Sequence, residues 1–345
     1  MRLGIIGRPQ SGKATVFDAL TRSVAADGNR RESRIGTITV PDQRVAVLSG
    51  MYQPRKTIFA QVAYFLPGKA GEPGGSLQKE QGVWTQVRDC DALIHTVRNF
   101  SGYGLKAPTP QADITTIDQE LIISDLVVVE KRIERLALDD RRGKKPDPEE
   151  LVLLDQCQQH LDKEVPLRRF PELAAAKSLR GFAFLSAKPM LVLFNNADED
   201  EDLPDGAVLP EGEAGLVIRA KLEQELAQMS TDEAADFLAE FNINASATDR
   251  VIQRSYDLLG LISFFTVGED EVRAWTIGRD TSAVDAAEVI HSDIKKGFIR
   301  AEVLAYEDLM AAGTYAEARK RGTVRLEGKT YPVRDGDVIN FRFNV

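Results

Sequence analysis

The chain has 345 residues, 43% hydrophobic and 28% charged, with a formal net charge of −9. That length provides for two or three domains and a sizeable core. The acidic balance argues against a protein that coats naked nucleic acid by bulk charge, and no apolar run approaches the roughly 18–20 residues that span a bilayer.

The first informative element comes at once. Arg2-Leu3-Gly4-Ile5-Ile6 is a short apolar run suited to a buried strand, and Thr15–Leu20 has helical spacing. Between them lies Gly7-Arg8-Pro9-Gln10-Ser11-Gly12-Lys13-Ala14-Thr15, a phosphate-binding loop at a strand-to-helix turn. Gly7 and Gly12 let the backbone curl closely round phosphates and present its N–H groups with the positive end of the following helix. Lys13 supplies a mobile charge to the outer phosphates. The position that normally offers a hydroxyl to magnesium is Ala14, so the loop points to nucleotide while the alanine argues against hydrolysis. Thr15, about 100° further round the helix, does not substitute. Because the first residues carry this loop, a removable leader is not expected and a cytoplasmic location is.

Further along, Ile35–Val40, Phe59–Leu66, Ala92–Val97, Met190–Phe194 and Leu216–Ile218 read as strands alternating with helical patterns, which favours an α/β fold with an open parallel sheet. Cys90 and Cys157 have no neighbour at metal-ligand spacing, so buried thiols are expected rather than a disulfide or a zinc site. Between about residues 118 and 186 the pattern changes. Ile122, Leu126, Val129, Ile133 and Leu136 mark one apolar seam on a long helix. Asp147-Pro148-Glu149-Glu150 has the form of a second helix start, and Leu151, Leu154, Leu161 and Val165 continue its stripe. The pair predicts an inserted antiparallel helical hairpin. Its tip gathers Arg141, Arg142, Lys144 and Lys145, either a solvated turn or a contact for RNA phosphates.

From about Ile262 the pattern is again of half-exposed strands, at Phe264–Val267, Val272–Ile277 and Val338–Phe343, around a helix at Ala283–Ile290. A small mixed sheet packed on a helix is expected. Lys295, Lys296 and Arg300, and later Arg319, Lys320 and Arg321, read most simply as solvated faces.

The blocks His291-Ser292-Asp293, Gly297–Val303, Ala305–Leu309, Leu326–Lys329, Asp335–Val338 and Phe341–Val345 resemble the C-terminal TGS domain of the YchF, or Obg-like ATPase, family. Cys90–Arg98 and Val40-Pro41-Asp42 are similar to that family's nucleotide domain, so the resemblance covers essentially the whole chain. It implies a P-loop G domain over 1–120 and 187–260, an α-helical coiled-coil insertion over 121–186 and a β-grasp TGS domain over 261–345. It further implies binding of ATP or GTP and association with ribosomes.

The resemblance also assigns base recognition, to Asn196-Ala197-Asp198-Glu199 as the family's Asn-x-x-Glu motif. A guanine-specific site places Asp last, where its carboxylate accepts two hydrogen bonds from the guanine edge. Glu199 in that place implies ATP or relaxed base choice. Against the family pattern, Ala14 replaces a serine, and the switch Asp-x-x-Gly reads Phe65-Leu66-Pro67-Gly68. Arg30 falls loosely at the first-switch threonine, and Ser101–Lys106 lacks the relatives' histidine. Losing several metal contacts harms phosphoryl transfer more than binding. The expectation is a nucleotide-binding protein with weak or lost hydrolysis, doubtful dependence on Mg²⁺, and Arg8 or Arg30 as a replacement charge. An active ATPase or GTPase switch and a nucleotide-free scaffold for ribosomal RNA or protein remain as alternatives.

Overall fold

The computed structural model describes residues 1–23, 32–68, 77–210, 212–230, 233–234, 236–237 and 247–344. The chain forms two compact units: residues 1–37 with 63–251, and residues 38–62 with 252–345. Arg30 lies outside the described residues.

The first unit is built on a sheet of six strands: β1 (Arg2–Ile6), β2 (Arg34–Thr39), β4 (Gln61–Leu66), β5 (Ala92–Asn99), β6 (Met190–Asn196) and β7 (Ala214–Ile218), in the order β2-β4-β1-β5-β6-β7. From β4 to β7 every pairing is parallel. Burial on both faces explains why these strands read as near-continuous apolar runs, with all seven residues of β6 buried. Helix α1 (Lys13–Thr21) follows β1. Helices α3 (Leu77–Val87) and α4 (Pro110–Arg141) bring Trp84, Val87, Ile117 and Leu121 into one core with Ile6, Phe65, Leu93 and Met190.

The helical insertion follows its predicted seam. Helix α4 runs for 32 residues, and α5 (Pro148–Leu161) begins where Asp147 accepts a hydrogen bond from Glu149 N at 3.0 Å. Ile122, Val129, Leu136, Leu154, Cys157 and Leu161 bury each other between the two helices. Arg132 ties them with a two-pronged ion pair to Glu150 at 2.7 and 2.9 Å. Helix α5 stops before Val165 because Glu164 adopts the left-handed conformation, φ 56°. At the base of the hairpin, buried Asp125 accepts from Leu185 N at 3.0 Å and Ser186 N at 2.7 Å, with Arg88 at 3.4 Å. Cys90 and Cys157 are both buried, and burial pushes each thiol up to about 11, leaving them unreactive as nucleophiles at neutral pH.

The second unit carries the mixed sheet expected of the C-terminal region, in the order β11-β10-β12-β8-β9-β3. Here β3 is Lys56–Ile58, β8 Leu261–Thr266, β9 Glu271–Gly278, β10 Phe298–Ala305, β11 Arg325–Glu327 and β12 Asp337–Phe343. A helix at Ala283–Ile290 packs Ala283, Ala286 and Ala287 against Phe264, Ile277, Val303 and Ile339. Its edge strand β3 comes from the N-terminal third of the chain and pairs in parallel with β9. Among the described residues, no helix is long and apolar enough to cross a membrane.

Candidate functional site

Strand β1 sits inside the parallel sheet, and the loop leaving its C-terminal end is where open α/β sheets place their ligands. The loop needs three left-handed turns of backbone, at Gly7 (φ 146°), Gln10 (φ 64°) and Gly12 (φ 87°). At Gly7 and Gly12 space also demands glycine. A Cβ on Gly7 would lie 2.3 Å from the Thr96 carbonyl oxygen, and one on Gly12 would lie 2.2 Å from Asn195 Nδ2. Lys13 opens α1 and donates to the carbonyl oxygens of Gly7 and Arg8, each at 2.7 Å, which holds its ammonium across the mouth of the loop. Pro9 and Gln10 form the tip of the turn. Ser11 is buried, and its Oγ and the Oγ1 of Thr96 have no hydrogen-bond partner among the described residues.

The residues around the loop answer the questions its sequence raised. Ala14 is exposed on the first turn of α1 and offers a methyl group. Phe65 is packed in the core beneath the sheet, with the Arg2 guanidinium 5.7 Å from its ring centre. Neither position presents an oxygen to a metal ion. Thr15 is half-buried beside Ala14. Arg8 is committed elsewhere, its Nη1 lying 3.1 Å from Glu120 on α4.

The end of β6 carries the other predicted group, and here two adjacent asparagines divide the work. Successive residues of a strand face opposite ways. Asn195 therefore faces the loop: its Nδ2 donates to Ser11 O at 3.1 Å, and its Oδ1 accepts from Ala220 N at 3.1 Å. That second bond fixes the start of α7 (Ala220–Leu226). Asn196 faces away from the loop, accepting from Asn99 Nδ2 at 3.0 Å and donating to Asp202 O at 2.7 Å. Ala197 is half-buried and Glu199 is exposed. The structure thus gathers Gly7–Lys13, Asn195 and Ala220 into one hydrogen-bonded block, and Asn196 braces the neighbouring strand end. Sequence reading passed over Asn195 in favour of its neighbour, although Asn195-Asn196 gave the signal that one of the pair faces the loop.

His95, on β5, is wholly buried with both ring nitrogens unpartnered among the described residues. Burial, reinforced by the charges of Lys13 and Arg168, lowers it to about 3. The native state therefore keeps a neutral imidazole where the unfolded chain, titrating near about 6.5, takes up a proton. This contribution to stability is complete above about pH 6.5 and declines toward pH 3, by up to about 1.4 kcal/mol per pH unit. His95→Leu, which also removes two unsatisfied nitrogens, is expected to flatten the fall in urea midpoint between pH 6.5 and 5. An unchanged slope would show that the imidazole is not the acid-sensitive group.

The basic clusters separate in the same way. Lys295 is paired with Asp285 and Glu288, Lys296 with Asp293, Arg319 with Glu302, and Lys320 and Arg321 with Glu317, so these form ordinary paired faces, while Arg300 is exposed. At the hairpin tip Arg141, Arg142, Lys144 and Lys145 are all exposed around Gly143, whose φ of 80° makes the turn.

Residues 261–344 match the model of the YchF-GTPase_C family, described as a protein of unknown function. A ribosome-binding ATPase YchF of Bacillus subtilis is 38% identical over 367 aligned positions, covering 99% of both chains. One of Escherichia coli O157:H7 is 33% identical over 364, covering 100% of this chain and 99% of the relative. Among solved structures, the Schizosaccharomyces pombe YchF GTPase superposes with a TM-score of 0.82 at 28% identity, covering 99% of this chain and 97% of that one. The full-length likeness to these relatives, on a parallel sheet with its loop after the first strand, shows that the chain belongs to the YchF family.

Proposed function

We propose that this chain is a nucleotide-binding YchF protein that takes ATP or GTP, associates with ribosomes and has little or no hydrolytic turnover. The observation that carries the first part is the loop itself. Gly7 and Gly12 are confined to glycine by both backbone angle and space, and the Lys13 ammonium lies across the mouth. Backbone N–H groups of Arg8 and of Gln10 to Ala14, Pro9 having none, then cradle the phosphates with the start of α1, and Lys13 swings from the loop carbonyls to the terminal ones. A bound Mg²⁺ neutralises charge on the phosphate oxygens in phosphoryl transfer. A methyl at Ala14 and a packed ring at Phe65 do not fit side-chain ligation of that ion, and Arg8, paired with Glu120, does not supply the lost charge.

Calorimetric titration of ATP and GTP, each with Mg²⁺ and with EDTA, followed by phosphate release on the same samples, tests this reading. The wild type is expected to bind in both media, Lys13→Ala to bind about 100-fold more weakly, and phosphate release to stay at background. Turnover dependent on Mg²⁺ would overturn the loss of hydrolysis. Absence of binding at millimolar nucleotide would leave only a scaffold.

Ribosome association rests on the relatives named as ribosome-binding ATPases. The exposed hairpin tip is the proposed contact for ribosomal RNA, since its four cations stand apart from the paired clusters of the C-terminal unit. Cosedimentation with ribosomes is expected to weaken as salt rises and to be lost when Arg141, Arg142, Lys144 and Lys145 are all changed to Ser. Unchanged cosedimentation would remove the tip from the interface.

A further inference from the structure

Asn195, rather than Asn196, is built into the loop. Its amide bridges Ser11 O and Ala220 N, it is almost wholly buried, and Gly12 has no room for a Cβ because Asn195 Nδ2 occupies it. A base motif anchored on the asparagine that holds the phosphate loop therefore begins at Asn195 and reads Asn195-Asn196-Ala197-Asp198. Its fourth residue is Asp198, and Glu199 falls outside it.

We propose that Asp198 reads the base and that this chain selects guanine over adenine nucleotides. The inference rests on the nucleotide-binding reading of the loop. Asp198 is positioned by the segment that Asn195 fixes. Ala220 is tied to Asn195, and its two neighbours reach back to Asp198. Arg219 donates to the Asp198 carbonyl oxygen at 3.3 Å, and Lys221 Nζ lies 3.8 Å from the carboxylate. Arg219 is itself held by Glu201 at 2.7 Å. The carboxylate is one-third exposed and Lys221 mostly so, so the carboxylate is open to a ligand at the C-terminal ends of β5 and β6. Glu199, one residue on, is exposed.

The chemistry of the two bases then decides. Guanine presents two adjacent donors, N1–H and the 2-amino group, which match the two oxygens of one carboxylate with charge-assisted hydrogen bonds. Adenine presents one donor, its 6-amino group, beside the N1 lone pair. A second carboxylate oxygen meets that lone pair with repulsion and is left without a partner. Sites built to hydrogen-bond a particular edge reject the base that lacks it far more strongly than apolar pockets reject a change of size. Asn195 acts here as a positioning residue.

Competition of GDP, ADP and xanthosine diphosphate against a fluorescent GDP on the full chain tests the proposal. The wild type is expected to bind GDP at least about ten-fold tighter than ADP. Asp198→Asn exchanges one acceptor for a donor and matches the 2-carbonyl of xanthine. It is expected to weaken GDP about 100-fold and to strengthen xanthosine diphosphate. A gain for a new base is a readout that misfolding does not imitate. Glu199→Gln is expected to leave the order unchanged. Equal or tighter ADP binding by the wild type, or an order altered by Glu199→Gln and not by Asp198→Asn, overturns the assignment while leaving nucleotide binding intact. No binding of any diphosphate overturns both.

Discussion

Gly7→Ala is expected to abolish nucleotide binding and to lower the stability of the chain by about 3 kcal/mol. Two independent costs meet at this residue. A φ of 146° lies where side chains are rarely tolerated, and the new methyl would stand 2.3 Å from the Thr96 carbonyl oxygen. That oxygen belongs to β5, which is hydrogen-bonded on one side to β1 and on the other to β6, so it cannot retreat without opening the sheet. Ser11 Oγ, 3.0 Å from the same methyl, closes the other direction. Relief comes from straightening the loop, and a straightened loop no longer points its N–H groups at one centre. Urea unfolding and titration on the same sample read both effects. A variant with native affinity would show that the curl is not what binds.

Asp125→Ala is expected to cost about 3–5 kcal/mol, measured as a fall in urea midpoint at unchanged slope. The carboxylate is wholly buried on α4 and accepts from Leu185 N and Ser186 N, with the Arg88 guanidinium beside it. Burial raises its pKa, while the two backbone donors and Arg88 work in the opposite direction. Truncation leaves two buried N–H groups without an acceptor, and leaves Arg88, among the described residues, with Ser124 Oγ and the Ala183 carbonyl. Each unmade buried bond costs about 1–3 kcal/mol. Asp125→Asn keeps one acceptor oxygen and is expected to lose roughly half as much. A loss below about 1 kcal/mol would mean that water replaces the carboxylate.

What could be read from the sequence was local. The strand, loop and helix at residues 2–21 are contiguous, and their glycine and lysine spacing carries its own geometry. The hairpin seam was legible for the same reason, because 3.6-residue periodicity needs no partner to be seen. The end of α5 was not, since only the left-handed Glu164 stops an apolar stripe that otherwise runs on to Val165. The asparagine that braces the loop escaped for a different reason. Asn195 and Asn196 are chemically identical, and only the register of β6 against β5 and β7, with alternation along the strand, determines which one meets Ser11. The placement of Lys56–Ile58 beside β9 joins residues more than two hundred positions apart, a pairing that no local pattern announces.

That last pairing has a consequence for how the mixed sheet survives in a crowded solution. A sheet edge is a row of unpaired N–H and C=O groups, open to a strand from any other molecule. One edge here is β11, three residues long and carrying Arg325 and Glu327, too short and too charged to recruit a partner. The other would be the eight residues of β9, alternating Val272, Ala274 and Thr276 with Arg273 and Trp275, a far better template. Lys56–Ile58 covers part of it, and so acts as a built-in guard against aggregation. A protease cut between β3 and β8 that released the C-terminal segment alone would unmask that edge, turning a guarded sheet into a seed for self-association.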